Sequence, residues 1–391
     1  MTGGGSAFRT ATVQVSRGGQ GRAGGMTERE AYIALNMMEN VGPVTVRSMA
    51  GVLGSVPAIL EAEEEALIGA PGIGRGIAQS ILDQRGRTDV ATELERAESA
   101  GAHVITPADA EYPAPLKEIH DPPLALYVRG ALENRDRHSI AVVGTRRPTH
   151  YGRRSAELLA GQLARAGMTV TSGLALGIDT AAHQGALRAQ GRTVAVLGGA
   201  LDCLYPPSNA GLAGDIAERG AVLSEFPFGR RPDKTTFPMR NRIVSGLSLG
   251  VLVVEADRRS GAMITAREAL EQGRSVLAVP GRIDSPSSRG CHALIRDGAR
   301  LVSSVDDVLA EFEFLFTGCP GTEAEKPRVT ADLSDEERAI LDCLEEGEQQ
   351  VDGLIRDSGL APGRVSALLI GLEMKKMVRM LPGRSVEKIR T

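Results

Sequence analysis

The chain has no tryptophan and few aromatic residues of any kind, seven Phe and five Tyr among 391 residues, so any ring set among charged side chains needs an explanation. Cysteine is scarce as well. Cys203, Cys291, Cys319 and Cys343 show no C-x-x-C or Cys/His ligand spacing, which argues against a zinc site and a disulfide framework and suits a reducing compartment. No apolar run approaches the roughly 18 residues that cross a bilayer, and the N-terminus lacks the continuous apolar segment of a secretion signal. A cytoplasmic protein with no membrane span, no metal and no cofactor is expected. Residues 1–25, rich in Gly, Ser and Arg, carry too little apolar side chain to build a core and are expected to form a disordered tail.

The length allows two or three domains with cores of their own, and charge divides the chain into regions. The net charge is -4 overall, but it is -7 over 26–110, +6 over 138–310 and -3 over 331–391. Only the middle region has the electrostatics to attract phosphate, and nearly all of its positive charge is arginine.

Residues 26–100 read as short helices broken by two glycine turns, Asn40-Val41-Gly42-Pro43 and Ala70-Pro71-Gly72-Ile73-Gly74. The second resembles a helix-hairpin-helix turn, able to present backbone N–H groups to phosphate. Glu61, Glu63, Glu64 and Glu65 just upstream favour a structural or protein-contacting version instead. From residue 101 to 312 the pattern predicts an extended Rossmann-like domain. An extended lead-in over 112–130 precedes apolar runs at 140–143, 168–171, 193–197, 249–254 and 275–279. Between them, amphipathic stretches at 153–166, 178–190 and 261–272 complete a doubly wound parallel α/β sheet. A Gly-, Pro- and Thr-bearing linker over 313–330 leads to residues 331–391, whose three helices and short hairpin describe a winged-helix domain. Its negative charge favours a protein-contact or regulatory role over a DNA-reading one.

Ligands of open α/β sheets bind beyond the carboxyl ends of the strands. The loop after the first run, Gly144-Thr145-Arg146-Arg147, is not a dinucleotide fingerprint, but it places a glycine, a hydroxyl and arginines at the mouth of a helix, an arrangement suited to anions. Ser172-Gly173 follows the second run, and there Asp179 and His183 read as a capping acid and a packing histidine rather than a catalytic pair. Lys234, Phe237, Arg240, Asn241 and Arg242 form the densest feature, a loop in which cations flank one ring; such pairing holds single-stranded nucleic acid, with a solvated-arginine loop as the equally weighted alternative. Ser260 and Gly261 mark a further strand-to-helix junction.

Together, V-V-G-T-R-x-x-T-x-Y-G, S-G-L-A-x-G-I-D-x-A-A-H, F-P-x-R-N-R-I-V-S-G-L-S, V-V-E-A with S-G-A-M-I-T-A, and V-P-G with G-C-H-x-L-I-R-D-G-A, in that order over about 100–310, resemble the DprA/Smf (DNA-processing protein A) family. The resemblance implies a homodimer without catalytic residues that binds single-stranded DNA in a sequence-tolerant way and loads the RecA recombinase during natural transformation. It implies that Gly144, Thr145, Arg146, Ser172, Gly173, Lys234 and Arg240 hold phosphates, that Phe237 touches a base, and that His292, Ile295 and Leu301 lie on a dimer surface with RecA docking nearby. Position 176, often basic in relatives, is Leu176. Two other readings compete. A nucleoside-monophosphate phosphoribohydrolase needs a glutamate that the stretch from Leu197 to Cys203 lacks, and a winged-helix transcription regulator would place binding in the C-terminal domain.

Overall fold

The computed structural model describes residues 26–312, 334–344, 348–374, 377–381 and 385–388. The tail expected over 1–25 and the linker expected over 313–330 lie outside the described residues. The chain divides into two compact units, 1–313 and 314–391.

The first unit opens with six helices, α1 (Glu28–Asn36), α2 (Pro43–Leu53), α3 (Val56–Glu61), α4 (Glu64–Ile68), α5 (Arg75–Gln84) and α6 (Val90–Ser99). A reciprocal cap between Thr27 and Glu30 starts α1, and Pro43, whose missing N–H costs nothing in a first turn, starts α2. Leu35, Met49, Ile59, Leu67 and Ile81 are buried in their shared core. In the Gly-Ile-Gly turn Ile73 enters that core while Gly74 caps α5. Contacts run across residue 100: Leu124 joins the helical core, Arg29 donates to the Val104 carbonyl at 2.7 Å, and Asn36 donates to the Glu225 carbonyl at 2.9 Å.

Nine strands follow: β1 (Ala102–Ile105), β2 (Leu126–Gly130), β3 (Ser139–Val143), β4 (Thr169–Ser172), β5 (Thr193–Val196), β6 (Ala221–Ser224), β7 (Gly250–Val253), β8 (Ser275–Ala278) and β9 (Arg300–Leu301). They form one sheet in the order β1-β2-β6-β5-β4-β3-β7-β8-β9, parallel from β6 to β9. All five predicted runs are strands. The lead-in departs from a simple extension: it contains α7 (Ala114–Lys117), and only its last five residues form β2, antiparallel to both β1 and β6. Every residue of β3 to β7 is buried, as helices on both faces require. Those helices are α8 (His150–Arg165), α9 (Ile178–Arg188), α10 (Ala210–Arg219), α11 (Thr236–Gly246) and α12 (Gly261–Glu271), with α13 (Arg289–Arg296) and α14 (Val305–Glu311) beyond β8.

Helix α11 corrects the expectation of a loop over 234–242. Pro238 looks like a helix breaker, but it stands third in the helix, where the N–H has no intrahelical partner in any case. Asp233 holds the start, its carboxylate accepting the Thr235 N–H at 2.7 Å and the Thr236 N–H at 3.0 Å.

The second unit contains α15 (Asp335–Cys343), α16 (Val351–Ser358) and α17 (Pro362–Met374), with an antiparallel sheet of β10 (Glu348–Gln350), β11 (Val378–Leu381) and β12 (Ser385–Lys388) in the order β10-β12-β11. Ser334 and Glu337 form a reciprocal cap at the start of α15, and Ile340, Leu354, Leu369, Val378 and Val386 are buried together. This is a winged-helix arrangement. Among the described residues no helix is long and apolar enough to cross a membrane.

Candidate nucleic-acid interface

The chain builds β3, β4, β5 and β6 toward one side of the sheet and returns to place β7 on the other side of β3, so the order reverses beside β3. A crevice opens at such a reversal, beyond the carboxyl ends of the strands. Here it is a cleft of about 440 Å³. The loop after β3 supplies Gly144 and Arg146, and the loop after β4 supplies Gly173. Lys234, Phe237, Arg240 and Asn241 come from α11 and its approach, and Ser260 and Gly261 from the start of α12. The structure thus brings nine of the twelve predicted contact residues to one cavity; Thr145, Ser172 and Arg242 are not among its lining.

Arg240 forms the floor. Its side chain is 4% exposed, and its guanidinium lies where a Cβ on Gly173 would stand, so only glycine leaves it room. One Nη donates to the Val196 carbonyl at 2.6 Å, and Nε is buried without a partner among the described residues. Burial lowers the pKa of this group from its ordinary value, the Asp179 carboxylate opposes that shift, and the charge of Arg146 adds to it. Since arginine stays protonated even so, the floor is an under-satisfied cation, which an incoming anion would stabilise. Arg146 and Lys234 are exposed at the rim, with no carboxylate in ion-pair contact among the described residues. The Arg146 guanidinium lies over the Phe237 ring, 4.9 Å from its centroid.

Two carboxylates absent from the predicted set shape the same loops. Asp179, 7% exposed, accepts the N–H groups of Gly173 at 3.2 Å and Ala175 at 3.3 Å. Burial raises its pKa from the ordinary carboxylate value, and Arg240 pulls against that rise. Glu255 accepts the Thr149 N–H at 2.9 Å and its hydroxyl at 2.6 Å, filling the mouth of α8. The signal for both was present in the sequence, an acid inside S-G-L-A-L-G-I-D and another inside V-V-E-A, but only the fold shows that they face backbone donors.

Several expected contacts are corrected accordingly. The Gly173 N–H serves Asp179, so Gly173 contributes space rather than a donor. The Thr145 N–H goes to the Glu255 carbonyl at 2.6 Å, and its hydroxyl accepts the Arg147 N–H at 3.2 Å. The α8 dipole already faces Glu255, leaving Arg146 to attract anions there. Ser172 is fully buried and donates its hydroxyl to the Val142 carbonyl at 2.6 Å, out of reach of any phosphate. Arg242, 4% exposed, points away from the cleft into ion pairs with Asp121 at 2.7 Å and with Glu225. At the N-terminus of α12 the Ser260 hydroxyl accepts the Ala262 N–H at 3.3 Å, and Gly261 is exposed beside it. Leu176 is half exposed and does not line the cleft.

His292, Ile295 and Leu301 lie elsewhere, on α13 and β9 at the far edge of the sheet. His292 bonds the Gly281 carbonyl at 3.0 Å, Ile295 packs partly against the core, and Leu301 is exposed on the edge strand.

Comparison with known proteins agrees with this architecture. Residues 103–313 match the family model described as DNA recombination-mediator protein A, residues 324–384 that of the DprA winged helix domain, and residues 32–86 that of the SAM-like helix-hairpin-helix tandem. Protein Smf of Synechocystis sp. is 35% identical over 91% of this chain and 98% of its own length. DNA processing protein DprA of Streptococcus pneumoniae is 48% identical over 52% of this chain and 72% of its own length. The X-ray structure of DprA from that organism superposes with a TM-score of 0.64 at 35% identity, covering 73% of this chain and 98% of the other. A Rossmann-like sheet with a cationic cleft, preceded in the chain by a helix-hairpin-helix tandem and followed by a winged helix, places the chain in the class of DNA recombination mediators. Within that class, the chain belongs to the DprA/Smf family of DNA-processing proteins.

Proposed function

We propose that the cleft holds single-stranded DNA by its phosphates, with little regard to sequence, and that the protein acts without a catalytic step, presenting bound strands to the RecA recombinase during natural transformation. The observation that carries this reading is the convergence of Arg146, Lys234 and the under-satisfied Arg240 on one cavity beside Phe237. Cations follow a phosphate backbone whatever its sequence, and groups with flat faces suit bases that are not paired. Relatives bearing the name DNA processing protein support the same direction. The loop where a phosphoribohydrolase would hold its glutamate is packed instead, with Phe237 against Gly198 and Pro232 against Gly199. A homodimer joined through the β9 edge, where Arg300 and Leu301 are both exposed, would keep the cleft free for DNA, and the cytoplasm is where such a protein would meet RecA.

The test is fluorescence anisotropy of labelled oligo-dT against a duplex of equal length. Tight binding of the single strand over the duplex is expected. Equal affinity for both, or release of free base from nucleoside monophosphates at enzyme-like rates, would overturn the reading.

A further inference from the structure

Phe237 has little ring face to offer. The Gly198 backbone lies against it, and the Arg146 guanidinium covers it at 4.9 Å. A base arriving over Phe237 would have to displace Arg146 or stack on the outer face of its guanidinium. A second ring is close by: Tyr205, in the loop after β5, has its centroid 6.1 Å from that of Phe237, with the planes tilted by 57°. It is 52% exposed, although a buried tyrosine side chain would gain from the hydrophobic effect. Its hydroxyl makes no hydrogen bond among the described residues. Tyr151, comparably exposed, ties its hydroxyl to the Pro280 carbonyl at 2.8 Å.

The loop carrying Tyr205 is held firmly on both sides. Asp202 accepts the Gly229 N–H at 3.0 Å, and Asn209 donates to the Leu174 carbonyl and the Thr180 hydroxyl, each at 2.9 Å. A ring on a braced loop loses little freedom on binding, so its exposure is available as a contact surface.

We propose that Tyr205 is a base-stacking platform, extending the single-strand path past the cleft, with Phe237 acting chiefly as the support that Arg146 and Tyr205 rest on. The occupant is an unpaired base of the strand whose phosphates Arg146 and Lys234 hold, so the proposal rests on the reading of the cleft given above. Continuity argues for this occupant. Tyr205 adjoins a lining residue of a cleft rich in arginine, and arginine paired with an exposed ring suits single-stranded nucleic acid.

Because the parent chain has no tryptophan, Tyr205→Trp in the full-length protein introduces a sole reporter. Oligo-dT should quench its emission along the same isotherm that anisotropy of labelled oligo-dT records. Tyr205→Ala should weaken oligo-dT binding roughly fivefold or more, and Tyr205→Phe should restore it, since stacking needs the ring and not the hydroxyl. Arg146→Ala and Lys234→Ala separate the two levels of the argument. If they weaken binding while Tyr205→Ala binds as the parent does and the Tyr205→Trp emission stays unchanged at saturation, the cleft stands and Tyr205 is overturned. If they bind as the parent does, the cleft is not the site and the proposal falls with it.

Discussion

Arg240 illustrates how a residue can be costly to the fold and useful to the site. A buried guanidinium with one backbone bond and, among the described residues, no partner for Nε and no ion pair has lost water without full compensation. Its removal would also leave the buried Asp179 carboxylate without the cation that opposes the rise in its pKa. Arg240→Met is therefore expected to lower urea stability somewhat and to weaken single-strand binding by about 1.5–3 kcal/mol, the worth of hydrogen bonds to a charged group. Parent-like affinity in oligo-dT anisotropy would show instead that Arg240 is only structural. His183 behaves oppositely. Its Nδ1 lies 2.7 Å from the Thr193 hydroxyl, its Nε2 is buried without a partner among the described residues, and burial, helped by the Arg240 charge, lowers its pKa to about 3. The unfolded chain takes up this proton near 6.5 and the folded one only near 3, so the group's contribution to stability is intact above pH 6.5 and is lost progressively as pH falls toward 3. Between about pH 6.5 and about pH 5 the loss should approach about 2 kcal/mol. Urea midpoints of the parent and of His183→Leu at the two pH values check it: the parent's extra loss on acidification should vanish in the variant.

At the scale of elements, the cleft depends on loops that pack against each other as much as on the strands beneath them. Gly177 has φ +88°, a conformation costly for other residues, and a Cβ there would strike the Thr145 carbonyl and the Arg146 backbone. Gly177→Ala should therefore displace the loop that carries Arg146, lowering stability by roughly 1–3 kcal/mol and single-strand affinity with it; unchanged affinity in oligo-dT anisotropy would mean the loop tolerates the shift. The parallel strands were legible because runs such as Thr193-Val194-Ala195-Val196 are apolar on both faces, and the glycine-rich loops after them marked the binding end of the sheet. Helix α11 was hidden by Pro238, whose breaker signal depends on register. The roles of Ser172, Arg242, Asp179 and Glu255 were hidden for another reason. A hydroxyl or charge near a binding loop reads the same in sequence whether it faces the ligand or an orphaned backbone group, and only packing distinguishes the two.

At the scale of the whole molecule, charge is partitioned among regions. The arginine-rich sheet is joined to an acidic helical region through shared core contacts such as Leu124, whereas the winged helix forms a compact unit with its own buried core. Deleting 320–391 should accordingly leave most single-strand affinity intact, measured on the same oligo-dT; near-complete loss would move the binding surface to the winged helix. The central claim is that Arg146 and Lys234 hold phosphates of one strand in one seat. Its most direct test is the dependence of oligo-dT affinity on salt between roughly 50 and 200 mM for the parent, Arg146→Ala and Lys234→Ala. The account predicts weaker binding in each variant by roughly 1–3 kcal/mol and a slope of log affinity against log salt shallower by about 0.7 per contact removed. Parent-like affinity and slope in both variants would contradict it.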